Sequence, residues 1–384
     1  NKKETENSQQ DKSSWPESLK AAASALRETS SDRIAILGGS RLTNESQYAW
    51  TKVAKGILGT DNIDAQMGDG LSPEFLLGLP RATINDACKP GGTIVLLGPD
   101  PKEELGSLYL RLRHAVVHDG ATLIELTPTS TGLTPYAAHS LRVRPGETTE
   151  VVRSMFGEGG VAPIGGVDPE DAKKAGSLLQ AADSVTVLLG RSSLAETEGP
   201  VIDAALALHD RLADVQFLSL IRRGNIHGAF DMGMAPNLLP GRTTLISHQA
   251  SIKEIWPTLP TTRGHDAVKI IESAAEGKID VLVLLGADPL NDFPDKSLVA
   301  EAIEKTKTII SVDLFPTDTT RKADIVFPSA GPTEIDGTFT NLEGRISLIS
   351  RKVSPPGTAR PDWMIAVDLA RYLDRDLGFS SVEE

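Results

Sequence analysis

A chain of 384 residues, 40% hydrophobic and 24% charged, is long enough for two domains and a sizeable core, and its composition excludes a disordered or fibrous protein. A net charge of −13 argues against a nucleic-acid binder, which needs a basic footprint, and leaves any anionic cofactor dependent on local positive charge. The single cysteine, Cys88, excludes a disulfide framework and an iron–sulfur cluster ligated by these residues alone, and no apolar run reaches the roughly 20 residues of a membrane span.

The chain opens on Asn rather than Met, and residues 1–16 start with the polar, featureless NKKETENSQQDKSS. A disordered tail is expected there, on a piece of a longer chain. A helical pattern at 17–27 precedes a β-branched run at 33–37 and the loop ILGGSRLTN at 36–44, with Ser40 and Thr43 as capping candidates. That loop lacks both a G-x-G-x-x-G pattern and a Walker lysine, so a plain strand–helix turn outweighs a phosphate site. After a helix at 45–56 come strands at 93–97, 122–126, 184–189 and 215–220, with helices at 103–117 and 200–212. His114 and His118 share a face of the first of these helices, but no Glu stands between them and no third ligand suggests itself, so a solvated face is expected. Cys88 has no nearby CxxC partner or activating base, which argues against a catalytic thiol. Residues 235–264, rich in Pro and Gly, read as an irregular crossing segment. Strands at 280–285 and 308–314 and helices at 296–305 and 362–372 complete the series. Short apolar runs alternating with amphipathic segments predict an α/β fold with parallel sheets.

An internal repeat predicts two similar, Rossmann-like domains. VLLGPDP at 95–101 matches VLLGADP at 283–289, which sets Gly98 and Gly286 188 positions apart. The offset also aligns Thr131 with Thr319 and LTPT at 126–129 with LFPT at 314–317. Glu125 and Asp313 each stand 27 positions after the motif glycine, at a predicted strand end. A strand–turn–helix–strand unit produces this spacing, and places Gly98, Asp100 and Glu125 in one copy, and Gly286, Asp288 and Asp313 in the other, beside a crevice of the kind that binds nucleotides.

The segment EIDGTFTNLEGR at 334–345 is too polar for a buried strand and too glycine-rich for a helix interior. Taken alone it reads as a surface hairpin. With PPGTARPDW at 355–363 and the repeat, it resembles the molybdopterin oxidoreductase superfamily, whose members carry comparable E-x-x-G-T-x-x-N-x-E-G-R and P-x-G-x-A-x-x-D-W stretches. The matching positions include Glu334, Gly337, Thr338, Asn341, Glu343, Gly344 and Arg345. PDPKEELGSLYLRLRHAV, RRGNIHGAFDMGMAPNLLPG and LLGADPLNDFPD further resemble one branch of that superfamily, the large subunit of bacterial NADH-quinone oxidoreductase (respiratory complex I), in its actinobacterial form.

The resemblance implies two α/β domains, one inserted in the other: 17–90 plus 262–384, and 91–261. It implies a middle portion of a longer subunit, with [2Fe–2S] and [4Fe–4S] clusters held by an N-terminal part not among these residues. Other hydrophilic-arm subunits would be its partners, on the cytoplasmic side of a bacterial membrane without insertion. Catalytic members place Cys, selenocysteine or Ser on molybdenum, at a position that falls near Gly68 in NIDAQMGDGLSP. The phosphate turn, typically Gly-x-Asn-Pro, has Asp100 and Asp288 in place of Asn, repulsive to a diphosphate by about 1 kcal/mol at 4 Å in water. No catalytic residue, bound cofactor or metal is therefore expected here. The expected role is a non-catalytic scaffold of a complex that oxidises NADH, reduces quinone and translocates ions, with Glu334, Asn341, Glu343 and Arg345 structural. The rival reading is a molybdenum- or tungsten-dependent dehydrogenase acting on a substrate such as formate. A third is a nucleotide-binding module, since residues 182–200 also look like the middle domain of thiamine-diphosphate enzymes.

Overall fold

Strands form where leucine and β-branched residues run together, because their side chains pack well on a pleated surface. In the computed structural model, which describes residues 12–159, 162–194, 196–247, 252–256 and 258–384, they are β1 (Ile34–Gly38), β2 (Ile63–Asp64), β3 (Thr93–Leu97), β4 (Thr122–Thr127), β5 (His139–Arg142), β6 (Val185–Leu189), β7 (Val215–Ser219), β8 (Leu238–Leu239), β9 (Thr243–Thr244), β10 (Val281–Leu285), β11 (Thr308–Asp313), β12 (Ile325–Pro328), β13 (Gly337–Thr340) and β14 (Ile346–Ile349). The chain divides into two units: Asn1–Gly68 with Gly224–Asn341 and Ile346–Glu384, and Asp69–Arg223 with Leu342–Arg345.

The first unit holds a parallel sheet in the order β12-β11-β10-β1-β2. Ile34 lies opposite Val281 and Leu37 opposite Leu284. Both strands are buried throughout, as parallel strands covered on two faces must be. Ala35, Leu37, Ile270, Leu282, Leu284, Val299 and Ile309 form one core of this unit. The helix Trp15–Arg27 begins two residues before the expected position, because Ser14 and Glu17 form a capping box. It is held by stacking of Trp15 on Phe327 (5.5 Å) and by Arg360 over the Trp15 ring (4.1 Å). Of the tail expected at 1–16, residues 1–11 lie outside the described residues. The helix expected at 45–56 runs as Asn44–Thr51 and then widens into a π-helix, Lys52–Leu58. The segment 334–345 starts β13, which pairs antiparallel with β14.

In the second unit the parallel order is β5-β4-β3-β6-β7. Its core gathers Val95, Leu97, Ile124, Leu126, Val151, Val187, Leu189 and Leu208. The helices Thr148–Met155 and Pro169–Gln180 cover this sheet without having been expected from sequence. Both are short and rich in Thr, Ala or charge, so their apolar stripes are narrow.

The unit boundaries fall at 68/69 and 223/224 rather than at 90/91 and 261/262. Residues 69–90 pack in the second unit, where Leu71 joins the core and Phe217 exchanges backbone hydrogen bonds with Pro80 and Ala82. The irregular segment after Ala235 packs in the first unit because a buried ion pair gathers it. Lys55 Nζ sits 2.7 Å from Asp61 Oδ1 and donates to the carbonyls of Ala235 (2.7 Å) and Leu238 (2.5 Å). Asp61 Oδ2 accepts from the N–H groups of Asn237 (2.8 Å) and Gly264 (2.7 Å). No composition signal distinguishes a linker from a loop held this way.

Candidate functional site

In an open parallel sheet, ligands bind beyond the strand C-termini, where the strand order reverses. That point lies between β1 and β10 in the first unit and between β3 and β6 in the second. Beside β10, Gly286 opens the turn and Asp288 closes it. The Asp288 Oδ1 atom accepts from the N–H (3.3 Å) and hydroxyl of Thr319, and Oδ2 from Asn291 Nδ2 (2.7 Å). Asp313, at the end of β11, accepts from the N–H of Leu314 at 2.7 Å, while burial lifts its carboxyl above the ordinary range. Arg41 stands on the same rim, donating to the Gly286 carbonyl (2.9 Å) and pairing with Asp292 (3.2 Å).

The second unit repeats the device with other atoms. Asp100 Oδ1 accepts from the N–H of Lys102, and Oδ2 from that of Gly132, both at 2.9 Å. Gly98 lies against Gly190, whose nitrogen would be 3.1 Å from an added Cβ. Glu125 does not line an open crevice. It is sealed from solvent, accepting from the hydroxyls of Thr131 and Ser140 (2.8 Å) with the Arg142 guanidinium 3.6 Å away. The structure thus brings Gly98, Asp100 and Glu125 to one sheet end and Gly286, Asp288 and Asp313 to another. In each place the carboxylates close the unit's own loops.

Gly68, the position that resemblance aligns with a metal ligand, has a left-handed φ of 72°. An added Cβ would sit 2.8 Å from the Phe293 ring, so the ring occupies the space a ligating side chain would enter. Among the described residues, no group of three or more His, Cys, Asp or Glu could hold a metal. The His114 and His118 rings lie 4.8 Å apart, with the His114 side chain 64% exposed, as a solvated helix face requires. Burial pushes the Cys88 thiol up, away from thiolate chemistry.

The motif at 334–345 is stitched into its surroundings. Glu334 accepts from the N–H of Gly331 at 2.7 Å. The Thr338 N–H donates to Glu45 Oε2 (2.9 Å) and its hydroxyl to Oε1 (2.6 Å). Gly337 has φ 152°, and a Cβ there would meet Glu45 Oε2 at 2.6 Å, so only glycine lets that carboxylate approach. In the second unit, Glu343 pairs with Arg345 at 3.0 Å and accepts from the N–H of Ile84 at 2.8 Å, while Arg81 donates to the Leu342 carbonyl at 2.9 Å.

Sequence reasoning missed the centre of this network. Asn225, fully buried, donates to the Leu42 carbonyl (2.7 Å) and to Asn44 Oδ1 (3.0 Å), and accepts from the N–H of Thr340 (2.7 Å). Asn44 Nδ2 reaches the hydroxyls of Thr338 (3.0 Å) and Thr340 (3.1 Å), and Gln47 Nε2 binds the carbonyls of Gly39 and Asn225. Three distant stretches of the first unit meet here, around Asn44, Asn225 and Thr340.

The sequence model described as molybdopterin oxidoreductase matches residues 6–372. The alpha subunit of NADPH-Fe(3+) oxidoreductase from Geobacter sulfurreducens is 29% identical, the match covering 94% of this chain and 48% of that one. A subunit of NADH-quinone oxidoreductase from Streptomyces coelicolor is 28% identical, over 95% of this chain and 45% of its own length. A formate dehydrogenase alpha subunit from Methanocaldococcus jannaschii is 27% identical, over 94% and 59%. The chain therefore spans about half the length of the first of the curated relatives it matches. Acetylene hydratase from Pelobacter acetylenicus superposes with a TM-score of 0.68 at 15% identity, covering 95% of this chain and 59% of that one, a likeness of fold.

Proposed function

We propose that this chain, which belongs to the molybdopterin oxidoreductase family, is a non-catalytic α/β portion of an electron-transfer subunit, of the kind found as the large subunit of NADH-quinone oxidoreductase. The observation that carries the reading is Gly68, which has no side chain to ligate a metal and has Phe293 in the space such a side chain would need. The residues present do not fit a bis-pterin metal centre. The turn carboxylates of Asp100 and Asp288 take loop donors for themselves, and a diphosphate there would face their charge. Similarity to the Streptomyces NADH-quinone oxidoreductase subunit supports the placement in a respiratory complex. In that placement iron–sulfur clusters belong to a preceding part of the same polypeptide, the partners are other hydrophilic-arm subunits, and the chain lies peripherally on the cytoplasmic side of the membrane. No helix among the described residues is long and apolar enough to cross one.

A second reading, a molybdenum- or tungsten-dependent dehydrogenase, is favoured by the similarity to a formate dehydrogenase alpha subunit at nearly the same identity. Metal analysis of the purified protein decides between them. The scaffold reading expects neither metal above trace, and stoichiometric molybdenum or tungsten overturns it.

A further inference from the structure

We infer that the free edge of β14 (Ile346–Ile349), with the basic residues that follow it, is a docking surface for an extended acidic segment of another subunit. The inference rests on the electron-transfer-subunit reading and names a place where such a protein meets a partner. β14 pairs with β13 alone among the described residues, so its other edge presents a row of backbone donors and acceptors. Edge strands are normally guarded by charges, proline or a bulge. The strand itself, Ile-Ser-Leu-Ile, has none of these and is protected only by being short. Its apolar side chains are also outside: Ile346 is 67% and Leu348 77% exposed, and Val353, beyond the strand, is 53% exposed. Alternate residues project to one side of a strand, so Ile346 and Leu348 form a single apolar stripe.

The charge around this edge opposes that of the chain. From 346 to 360 there are Arg351, Lys352 and Arg360 and no acidic residue, in a chain of net charge −13. Arg360 is taken by Asp368, whereas Arg351 and Lys352 are exposed and make no ion pair among the described residues. The nearby Asp336 carboxylate accepts from the backbone N–H of Arg351 at 2.9 Å. An added strand would satisfy the edge, its alternate apolar side chains would cover Ile346 and Leu348, and its acidic residues would meet Arg351 and Lys352.

The test uses the whole complex, purified from source cells through a tag on this chain. A photo-crosslinker in place of Leu348 should give an adduct with an Asp- and Glu-rich segment of another subunit. Amides 346–349 should exchange more slowly in the complex than in the free chain. The double variant Arg351→Glu with Lys352→Glu should lower recovery of that partner by about tenfold or more, at an unchanged melting temperature of the free chain. No adduct, an adduct with a basic segment or a second copy of this chain, or full recovery from the double variant overturns the docking surface and leaves the electron-transfer-subunit reading standing. A chain that purifies without any other subunit overturns both.

Discussion

Replacing Asp362 by Asn removes a buried carboxyl group from the start of the helix Asp362–Tyr372. One Asp362 oxygen accepts from the Ser329 hydroxyl at 2.8 Å, and burial, reinforced by the charge of Asp313, pushes its pKa from 3.8 to about 7. A carboxyl raised in the folded state stays protonated there at pH values where the unfolded chain has released its proton. Stability is therefore unaffected below about pH 4, falls as pH rises toward the folded value, and has lost its full increment above it. At roughly 1.4 kcal/mol per pH unit, the loss between pH 5 and pH 8 comes to about 3 kcal/mol. Asn cannot titrate, and its side-chain oxygen can still accept from Ser329. Denaturant unfolding of both proteins at pH 5 and pH 8 should show the advantage of Asp362→Asn widening by about that amount at the higher pH. An equal difference at the two pH values would refute the reasoning, because it would mean that Asp362 is already ionised in the folded chain at pH 5, as it is in the unfolded one.

Lys55→Met should destabilise the first unit by about 3–5 kcal/mol, read by chemical denaturation, because it leaves the buried Asp61 carboxyl without its cationic partner. Asn225→Ala leaves the Thr340 N–H and Leu42 carbonyl buried without this partner. It should cost about 2–4 kcal/mol and raise amide exchange across β13 before global unfolding. Gly68→Ala should cost about 1–3 kcal/mol in thermal denaturation, since it combines a left-handed backbone with the Phe293 contact, whereas Gly120→Ala, also left-handed but with open space at its Cβ, should cost less.

The parallel strands were legible because strands buried on both faces read as continuous apolar runs, and β3, β4, β10 and β11 fall within a residue of where those runs stand. The repeat was legible for the same reason, as two such runs were followed by the same glycine turn. The helices at Pro169–Gln180 and Ala267–Ala275 were not, because small residues such as Ala172, Ala175 and Ala274 do the packing and leave little periodic contrast. The boundary at 223/224 escaped because Lys55 and Asp61, two charged residues that would ordinarily be assigned to the surface, bury themselves to hold the loop after Ala235. At the candidate site, residue types were visible but their partners were not. Which carboxylate meets which hydroxyl, as with Glu125 and Thr131, depends on loops brought together only by folding.

The matching loops at Asp100 and Asp288 give the protein a built-in comparison. Both knots tie a turn aspartate to the loop after the next strand, but one ends on the bare amide of Gly132 and the other also engages the hydroxyl of Thr319. Duplication followed by separate drift would leave that kind of difference, and each knot can serve as the reference against which damage to its twin is measured.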